Sequence, residues 1–315
     1  MGEVKTAATR ASFGKALVQL GEKRNDFIVM DADLAAATQT GMFKKAFPER
    51  FYDCGIAEQN MISIAAGIAT TGRKVIVSSF AMFAAGRAFE QIRNSVGYPN
   101  LNVIIGATHA GISVGEDGAT HQCCEDIALM RTIPGMTIIN PADETEAIKA
   151  VHAAMEVDGP VYMRFGRLAV PFIFDEDYDF KIGKGVELRN GDDVTIIATG
   201  LMVNEALQAH DILKEQGISA RVINIATIKP LDEEIVIKAA KETGAIVTAE
   251  EHTVIGGLGS AVADVVCENC PVPVIKLGVY DVYGHSGPAP KLLDEFGLRA
   301  KDIAEKAKKA LELKK

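Results

Sequence analysis

The feature that most restricts the possible folds of this chain is the alternation of short β-branched runs with longer amphipathic segments. Runs of this kind predict buried strands, and the segments between them repeat at the helical period. The predicted strands are residues 27–30, 74–79, 101–108, 136–140, 161–165, 193–199, 220–226, 245–250 and 272–279. The predicted helices are residues 12–20, 38–47, 56–70, 82–96, 123–131, 143–157, 203–216, 232–243, 258–269 and 300–313. Such alternation is typical of mostly parallel sheets with helices on their faces, so we expect an α/β fold.

The alternation is interrupted once, between residues 166 and 190. This interval contains acidic, aromatic and glycine residues without a helical period, so we interpret it as a linker that packs on the surface. The 315 residues are enough for two domains, each with its own core. The sequence therefore predicts two three-layer α/β domains with mostly parallel sheets, residues 1–165 and 191–315, joined by the linker.

The charge balance and hydropathy exclude several classes of partner. A net charge of −9 argues against a nucleic-acid or anionic-membrane surface, which needs a basic face. The N-terminus has no long apolar segment of a signal peptide, and no run of 18 apolar residues predicts a membrane span. Five cysteines, an odd number, do not indicate a disulfide framework. We expect a cytoplasmic protein that binds neither nucleic acid nor membrane.

One carboxylate, Glu58, begins an otherwise apolar helical run in the stretch "YDCGIAEQNMISIAAGIATTG", residues 52–72. The stretch contains no Lys or Arg, and the first basic residue after it is Arg73. The simplest interpretation is that an acidic residue in the first turn complements the helix dipole. The alternative is a functional carboxylate whose partner is not a basic side chain.

The loop "THAGISVGEDGATHQCCED", residues 108–126, follows a predicted strand and carries His109, Asp117 and His121. Open α/β sheets bind their ligands at the carboxyl ends of strands. Two histidines twelve residues apart, across flexible glycines, do not have the spacing of a metal-ligand motif. The loop therefore indicates binding of a polar substrate, and we predict no metal ligands in it.

Three further segments indicate a function less specifically than this loop does. Phe80 and Phe83 have the spacing of core residues as much as of a cofactor platform. The segment 250–266 predicts a strand, a glycine turn and a helix whose first N–H groups could hold an anion, without the spacing of a dinucleotide site. The turn-rich loop 282–290 carries His285, for which the sequence names no partner.

Taken together, "GIAEQNM", "SSFAMF" and "THAGISVGEDGATHQ" resemble the pyrimidine-binding region of transketolase in their order and spacing. The segments "TAEEHTVIGGLGSAVADVV" and "YGHSGPAP" are similar to the small C-terminal domain of that family. The GDG motif, with which thiamine enzymes hold Mg²⁺ and the cofactor diphosphate, does not occur in this sequence. The resemblance implies the C-terminal subunit of a split transketolase. A separate N-terminal subunit, with two copies of each chain assembled, would complete the thiamine diphosphate site and would hold most of the Mg²⁺ contacts.

The resemblance also implies roles for individual residues. Glu58 matches the glutamate that bonds N1′ of the cofactor's aminopyrimidine, and with His121 it is a candidate catalytic residue. The other cofactor-binding candidates are Ile56, Phe80, Phe83 and Asp33. The substrate-binding candidates are Arg10, His109, Asp117, His121 and Arg164, of which the two arginines match guanidinium groups that grip a sugar phosphate.

Several positions depart from the family pattern. Ala37 stands where complete transketolases carry a phosphate-binding serine, Gln59 replaces a histidine, Gly86 replaces a third aromatic residue and Ala110 replaces an aspartate. Three other interpretations stay open: the β subunit of a 2-oxo acid dehydrogenase, half of a 1-deoxyxylulose-5-phosphate synthase, and a non-catalytic module of the same fold. A polar set favours a hydroxylated sugar phosphate, and therefore ketol transfer: His109, Asp117 and His121, with Arg10 and Arg164.

Overall fold

The structure, a computed structural model, describes residues 5–314. Its strands are β1 (Thr6–Ala8), β2 (Phe27–Asp31), β3 (Phe51–Asp53), β4 (Lys74–Phe80), β5 (Val103–Thr108), β6 (Thr137–Ile139), β7 (Val161–Arg164), β8 (Ala169–Pro171), β9 (Val186–Arg189), β10 (Val194–Ala198), β11 (Ala220–Asn224), β12 (Thr227–Lys229), β13 (Ile246–Thr253) and β14 (Val274–Val279).

The α-helices are α1 (Thr9–Lys23), α2 (Ala35–Thr38), α3 (Gly41–Ala46), α4 (Glu58–Ala69), α5 (Phe89–Gln91), α6 (Asp126–Arg131), α7 (Glu144–Ala154), α8 (Met202–Glu215), α9 (Glu233–Thr243), α10 (Leu258–Asn269), α11 (Ala289–Glu295) and α12 (Ala300–Glu312). Two π-helical turns, Met82–Arg87 and Ile92–Gly97, flank α5, and two 3₁₀ segments cover Pro48–Arg50 and Ile112–Asp117. No helix within the described residues combines the length and the apolar character that crossing a bilayer requires.

The first sheet has seven strands in the order β12-β6-β7-β5-β4-β2-β3. All of its neighbouring pairs are parallel except β12 with β6. The second sheet has five strands in the order β14-β13-β10-β11-β9, and only β9 runs antiparallel to its neighbour. A small antiparallel pair, β1 and β8, lies outside both sheets.

Alternating side chains of each central strand face two separate helical layers. In β2, Phe27 and Val29 belong to the hydrophobic cluster of α1 and α7, while Ile28 and Met30 belong to that of α4. Both clusters are buried, so the strand is apolar on both faces, as expected for a parallel sheet covered by helices. The predicted three-layer α/β class is confirmed.

The second sheet repeats this arrangement and joins its core to the first. Ile196 of β10 packs with α8 and α12, whereas Ile197 packs on the opposite face with α9 and α10. The cluster that contains Ile197 also contains the residues on the α4 side of the first sheet. The two sheets therefore share part of one hydrophobic core.

Each predicted strand overlaps with a strand of the structure, but five strands and several helix details were not predicted. The predicted regular helix 82–96 is wrong, because two π-helical turns replace most of it. The predicted linker 166–190 contains two strands that were not predicted, β8 and β9. These strands are three and four residues long and lack the β-branched apolar runs that identified the others.

Candidate active site

Most of the predicted site residues follow strands of the first sheet at one edge. β2, β3, β4, β5 and β7 are parallel and in register, so their carboxyl ends meet there. His109 follows β5 directly, Glu58 follows β3 across a short turn, and Phe80 is the last residue of β4. The fold therefore concentrates these side chains where α/β sheets bind ligands.

Glu58 is the first residue of α4, and only 1% of its surface is exposed. Its carboxylate accepts a hydrogen bond from Ser79 Oγ at 3.4 Å and from Arg87 Nη1 at 2.7 Å. The interpretation that Glu58 has no basic partner is therefore wrong. Arg87 lies 29 residues away in sequence, at the end of a π-helical turn, and only the fold brings it to the carboxylate.

An aromatic group lies beside this carboxylate. The rings of Phe80 and Phe83 are 15° from coplanar with centroids 5.9 Å apart, and His109 stacks on Phe80 at 3.8 Å. His121 meets Phe83 edge-on at 5.2 Å. The Arg87 guanidinium lies 4.6 Å above the centroid of Phe83.

The position of Arg87 indicates which chemical groups fit between the Glu58 carboxylate and the ring of Phe83. A guanidinium is a planar group of N–H donors, and here it both faces an aromatic ring and donates to a buried carboxylate. An aminopyrimidine has the same planarity, and it can make the same two contacts when a proton lies between its ring nitrogen and the carboxylate. Glu58, Phe80 and Phe83 therefore fit such a ring, provided that Arg87 moves aside.

His109 is 3% exposed and has a positive φ of 55°. Its Nδ1 lies 2.9 Å from Thr108 Oγ1. Burial, assisted by the positive charges of Arg10 and Arg167, lowers the pKa of His109 to about 3. The imidazole is therefore neutral at physiological pH and offers one donor and one acceptor.

Two guanidinium groups, those of Arg10 and Arg167, lie on the His109 side of the site. Arg10 donates to Ala37 O at 2.6 Å, and burial, together with the charge of Arg167, lowers the pKa of Arg10. Arg167 is 38% exposed and pairs with Glu116 at 2.7 Å. Like charges held close together suit a doubly charged anion. The sequence analysis missed Arg167, although its place just beyond the carboxyl end of β7 was a signal.

Arg164 does not belong to this group, and the prediction that it grips a phosphate is wrong. The side chain is 4% exposed, and its Nε donates to Asp126 at 2.9 Å. Its Nη2 donates to the backbone carbonyls of Cys123 and Glu251. As the last residue of β7, Arg164 points into the protein interior, where it has a structural role.

Three other predicted residues are exposed and make fewer contacts. Ile56 is 77% exposed, next to the start of α4. Asp33 has a positive φ of 63°, and its backbone N–H donates to Asp53 Oδ1. Asp117 ends the 3₁₀ segment after Gly111 with its side chain in solvent. Among the described residues, the hydrogen bonds and ion pairs of Glu58 involve Ser79 and Arg87 and none of these three side chains. Their roles stay predictions.

The described part of the chain contains no group of three or more His, Cys, Asp or Glu side chains that could hold a metal ion. The start of α10, which the sequence suggested as an anion site, is occupied by the chain itself. Glu250 accepts hydrogen bonds from the N–H groups of Leu258 and Gly259 at 2.7 and 2.8 Å.

Comparison with known proteins agrees with this geometry. Residues 5–172 match the family described as "Transketolase, pyrimidine binding domain", and residues 183–303 match "Transketolase, C-terminal domain". The chain is 53% identical to a protein of Methanocaldococcus jannaschii that is named as a transketolase C-terminal section, over 94% of each chain. It is 44% identical to a 6-deoxy-6-sulfo-D-fructose transketolase subunit of Clostridium sp., over 97% of this chain and 95% of that one.

A solved structure titled "Split gene transketolase, inactive beta4 tetramer" is 51% identical, with a TM-score of 0.91. It covers 99% of this chain, which in turn covers 100% of that one. The two family matches together span most of the sequence, and each of the two relatives and the solved structure covers nearly all of it. The chain therefore belongs to the transketolase family and carries that family's pyrimidine-binding and C-terminal domains.

Proposed function

We propose that this chain is the C-terminal subunit of a thiamine-diphosphate-dependent transketolase, which moves a two-carbon ketol unit from a ketose phosphate to an aldose phosphate. The observation that carries the proposal is the buried Glu58 carboxylate, which faces a planar N–H donor above the ring of Phe83. This is the arrangement that an aminopyrimidine requires. A separate N-terminal subunit would complete the site.

When bound, thiamine diphosphate supplies the nucleophilic carbon and the electron sink for breaking and forming the carbon–carbon bond. Glu58 would hold a proton at N1′ of the aminopyrimidine, while Phe80 and Phe83 keep that ring in place. These residues act by orienting the cofactor and by excluding water from the carboxylate.

The sugar phosphate would lie against the glycine loop, residues 109–122. The neutral imidazole of His109, together with the side chain of His121, would bond the carbonyl and hydroxyl groups of the sugar, and His121 would also move a proton there. Arg10 and Arg167 would grip the phosphate. The Clostridium relative is named for 6-deoxy-6-sulfo-D-fructose, so an anionic group at the far end of the sugar is a shared expectation.

The diphosphate and Mg²⁺ would be held mainly by the N-terminal subunit, with two copies of each chain in the active assembly. Two observations support this part of the proposal. The residues between 5 and 314 form no cluster that could hold a metal. The similar split-gene structure is titled as an inactive assembly of β chains. The cytoplasmic location stays a prediction.

The test is reconstitution. This chain and its candidate N-terminal subunit are purified separately, mixed with thiamine diphosphate and Mg²⁺, and assayed with xylulose 5-phosphate and ribose 5-phosphate. We expect no activity from this chain alone and activity from the mixture. Glu58→Ala should abolish that activity, whereas Glu234→Ala, which changes a carboxylate with 88% exposure, should leave it unchanged.

Two results would contradict the proposal. Full activity of Glu58→Ala in the mixture would remove Glu58 from the mechanism. Turnover of pyruvate, but not of xylulose 5-phosphate, would favour the 2-oxo acid dehydrogenase subunit instead.

A further inference from the structure

The second half of the chain holds the glycine loop of the first domain from several sides. Ile112, in the middle of this loop, is fully buried in the hydrophobic cluster of the second domain, together with Leu292 and Leu293 of α11. The loop thus belongs to the first domain in sequence and to the second domain in its packing.

Glu251, in β13, makes the innermost contact with the loop. Its carboxylate accepts a short hydrogen bond from the backbone N–H of Ser113. Gly111 lies directly against the same carboxylate, so a side chain at that position would collide with it. Gly111 also has a positive φ of 84°, which leaves glycine as the residue that fits.

The segment 284–289 contacts the outer part of the loop. Gln122 donates to the backbone carbonyl of His285 at 3.0 Å and to that of Ile112 at 3.2 Å. Ser286 Oγ lies over Gly118, where a Cβ atom would collide with it. These contacts fix both ends of the part of the loop that carries Asp117 and His121.

Glu251 is itself held firmly. It is 4% exposed, and its backbone carbonyl accepts a hydrogen bond from Arg164 at 2.9 Å. Burial raises the pKa of Glu251, and the nearby charge of Arg164 opposes this rise. The carboxylate therefore lies in the protein interior, where its removal would leave the Ser113 N–H without an acceptor.

We propose that Glu251 is a positioning residue by which the C-terminal domain sets the shape of the substrate loop. The contact with Ser113 fixes the path of the chain between His109 and His121, and the Ser286–Gly118 contact fixes its far end. The kinetic part of this inference depends on the proposed ketol transfer, but the effect on the loop does not.

The experiment compares Glu251→Ala, Glu251→Gln and Glu250→Ala. Glutamine keeps an acceptor for the Ser113 N–H. Glu250 is the matched control, because it is the adjacent residue of the same strand and is fully buried, and its carboxylate caps α10 without touching the loop. Amide hydrogen exchange is followed in the purified chain, and kinetics are followed in the reconstituted complex.

In Glu251→Ala, we expect exchange of the Ser113–His121 amides to accelerate about tenfold or more, which corresponds to the loss of one buried hydrogen bond. We also expect the KM for the sugar phosphates to rise by about the same factor, with the affinity for thiamine diphosphate little changed. Glu251→Gln should restore most of both losses, whereas Glu250→Ala should destabilise α10 without accelerating exchange in the loop.

A second variant keeps the inference testable if Glu251→Ala does not fold. Ser286 is exposed, so Ser286→Gly should fold and should accelerate exchange at Gly118–His121 alone. Unchanged loop exchange in Ser286→Gly and Glu251→Ala, or equal acceleration in Glu250→Ala, would overturn the positioning role. A loosened loop in a complex that lacks ketol transfer would support the positioning role and contradict only the proposed function.

Discussion

Lowering the pH from 7.5 to 5.0 should destabilise this protein partly through one side chain, His109. Its pKa is about 3 in the folded chain, against 6.5 for an ordinary histidine. Between these values the unfolded chain carries a proton on this residue and the folded chain does not. Because the unfolded state binds more protons, stability falls as the pH drops below 6.5, and this loss levels off near pH 3.

The magnitude at pH 5.0 follows from the 1.5 pH units below 6.5. At about 1.4 kcal/mol per unit, His109 should lower the free energy of unfolding by about 2 kcal/mol between pH 7.5 and pH 5.0. The effect is this large because the imidazole is 3% exposed and faces two guanidinium groups.

The assay is urea unfolding of the wild type and His109→Gln at both pH values. Glutamine does not titrate, and it can keep a hydrogen bond to Thr108 Oγ1. The loss of stability between pH 7.5 and 5.0 should therefore be about 2 kcal/mol smaller in the variant, since the other five histidines are the same in both proteins. Equal losses in the two proteins would refute the reasoning.

Three further predictions concern arginines. Arg87→Ala leaves the buried Glu58 carboxylate with a single long hydrogen bond, so urea unfolding should report a loss of about 1–3 kcal/mol. Because Arg87 and the aminopyrimidine would compete for the Glu58 carboxylate, calorimetry should show that thiamine diphosphate binds the reconstituted variant more tightly than the wild type. Weaker binding would contradict this competition. Arg164→Met leaves the buried Asp126 carboxylate without its arginine counter-ion, with a hydrogen bond from Tyr162 remaining, and should lose about 3–5 kcal/mol. Arg167→Met should lose less than about 1 kcal/mol but raise the KM for sugar phosphates; the reverse pattern would restore Arg164 as the phosphate ligand.

The elements that could be predicted are those that a short stretch of neighbouring residues specifies. Buried parallel strands appear as apolar runs, because both of their faces pack against helices, and β2 is an example. Phe80 and His109 were identified partly because each directly follows such a run, whereas Glu58 and Phe83 were identified from their motifs and from the family resemblance that those motifs carry. Their convergence at one edge follows from the parallel register.

Side-chain direction and long-range contacts could not be predicted in this way. Arg164 and Arg167 are three residues apart, yet one ends a strand facing the interior and the other lies in the loop beyond it. The Arg87–Glu58 pair depends on a π-helical turn, for which the sequence carries no clear signal. The hold of Glu251 on Ser113 spans 138 residues and follows from the packing of one domain on the other.

The short strand β12 affects whether the first half of the chain can be produced as a separate fragment. It comes from the second half of the chain, but it pairs antiparallel with β6 at the border of the first sheet. A fragment that ended at the predicted linker would leave β6 with a row of unpaired backbone groups and would uncover the core that the two halves share. We expect such a fragment to aggregate, so the pyrimidine-binding half would need its neighbour in order to remain dissolved.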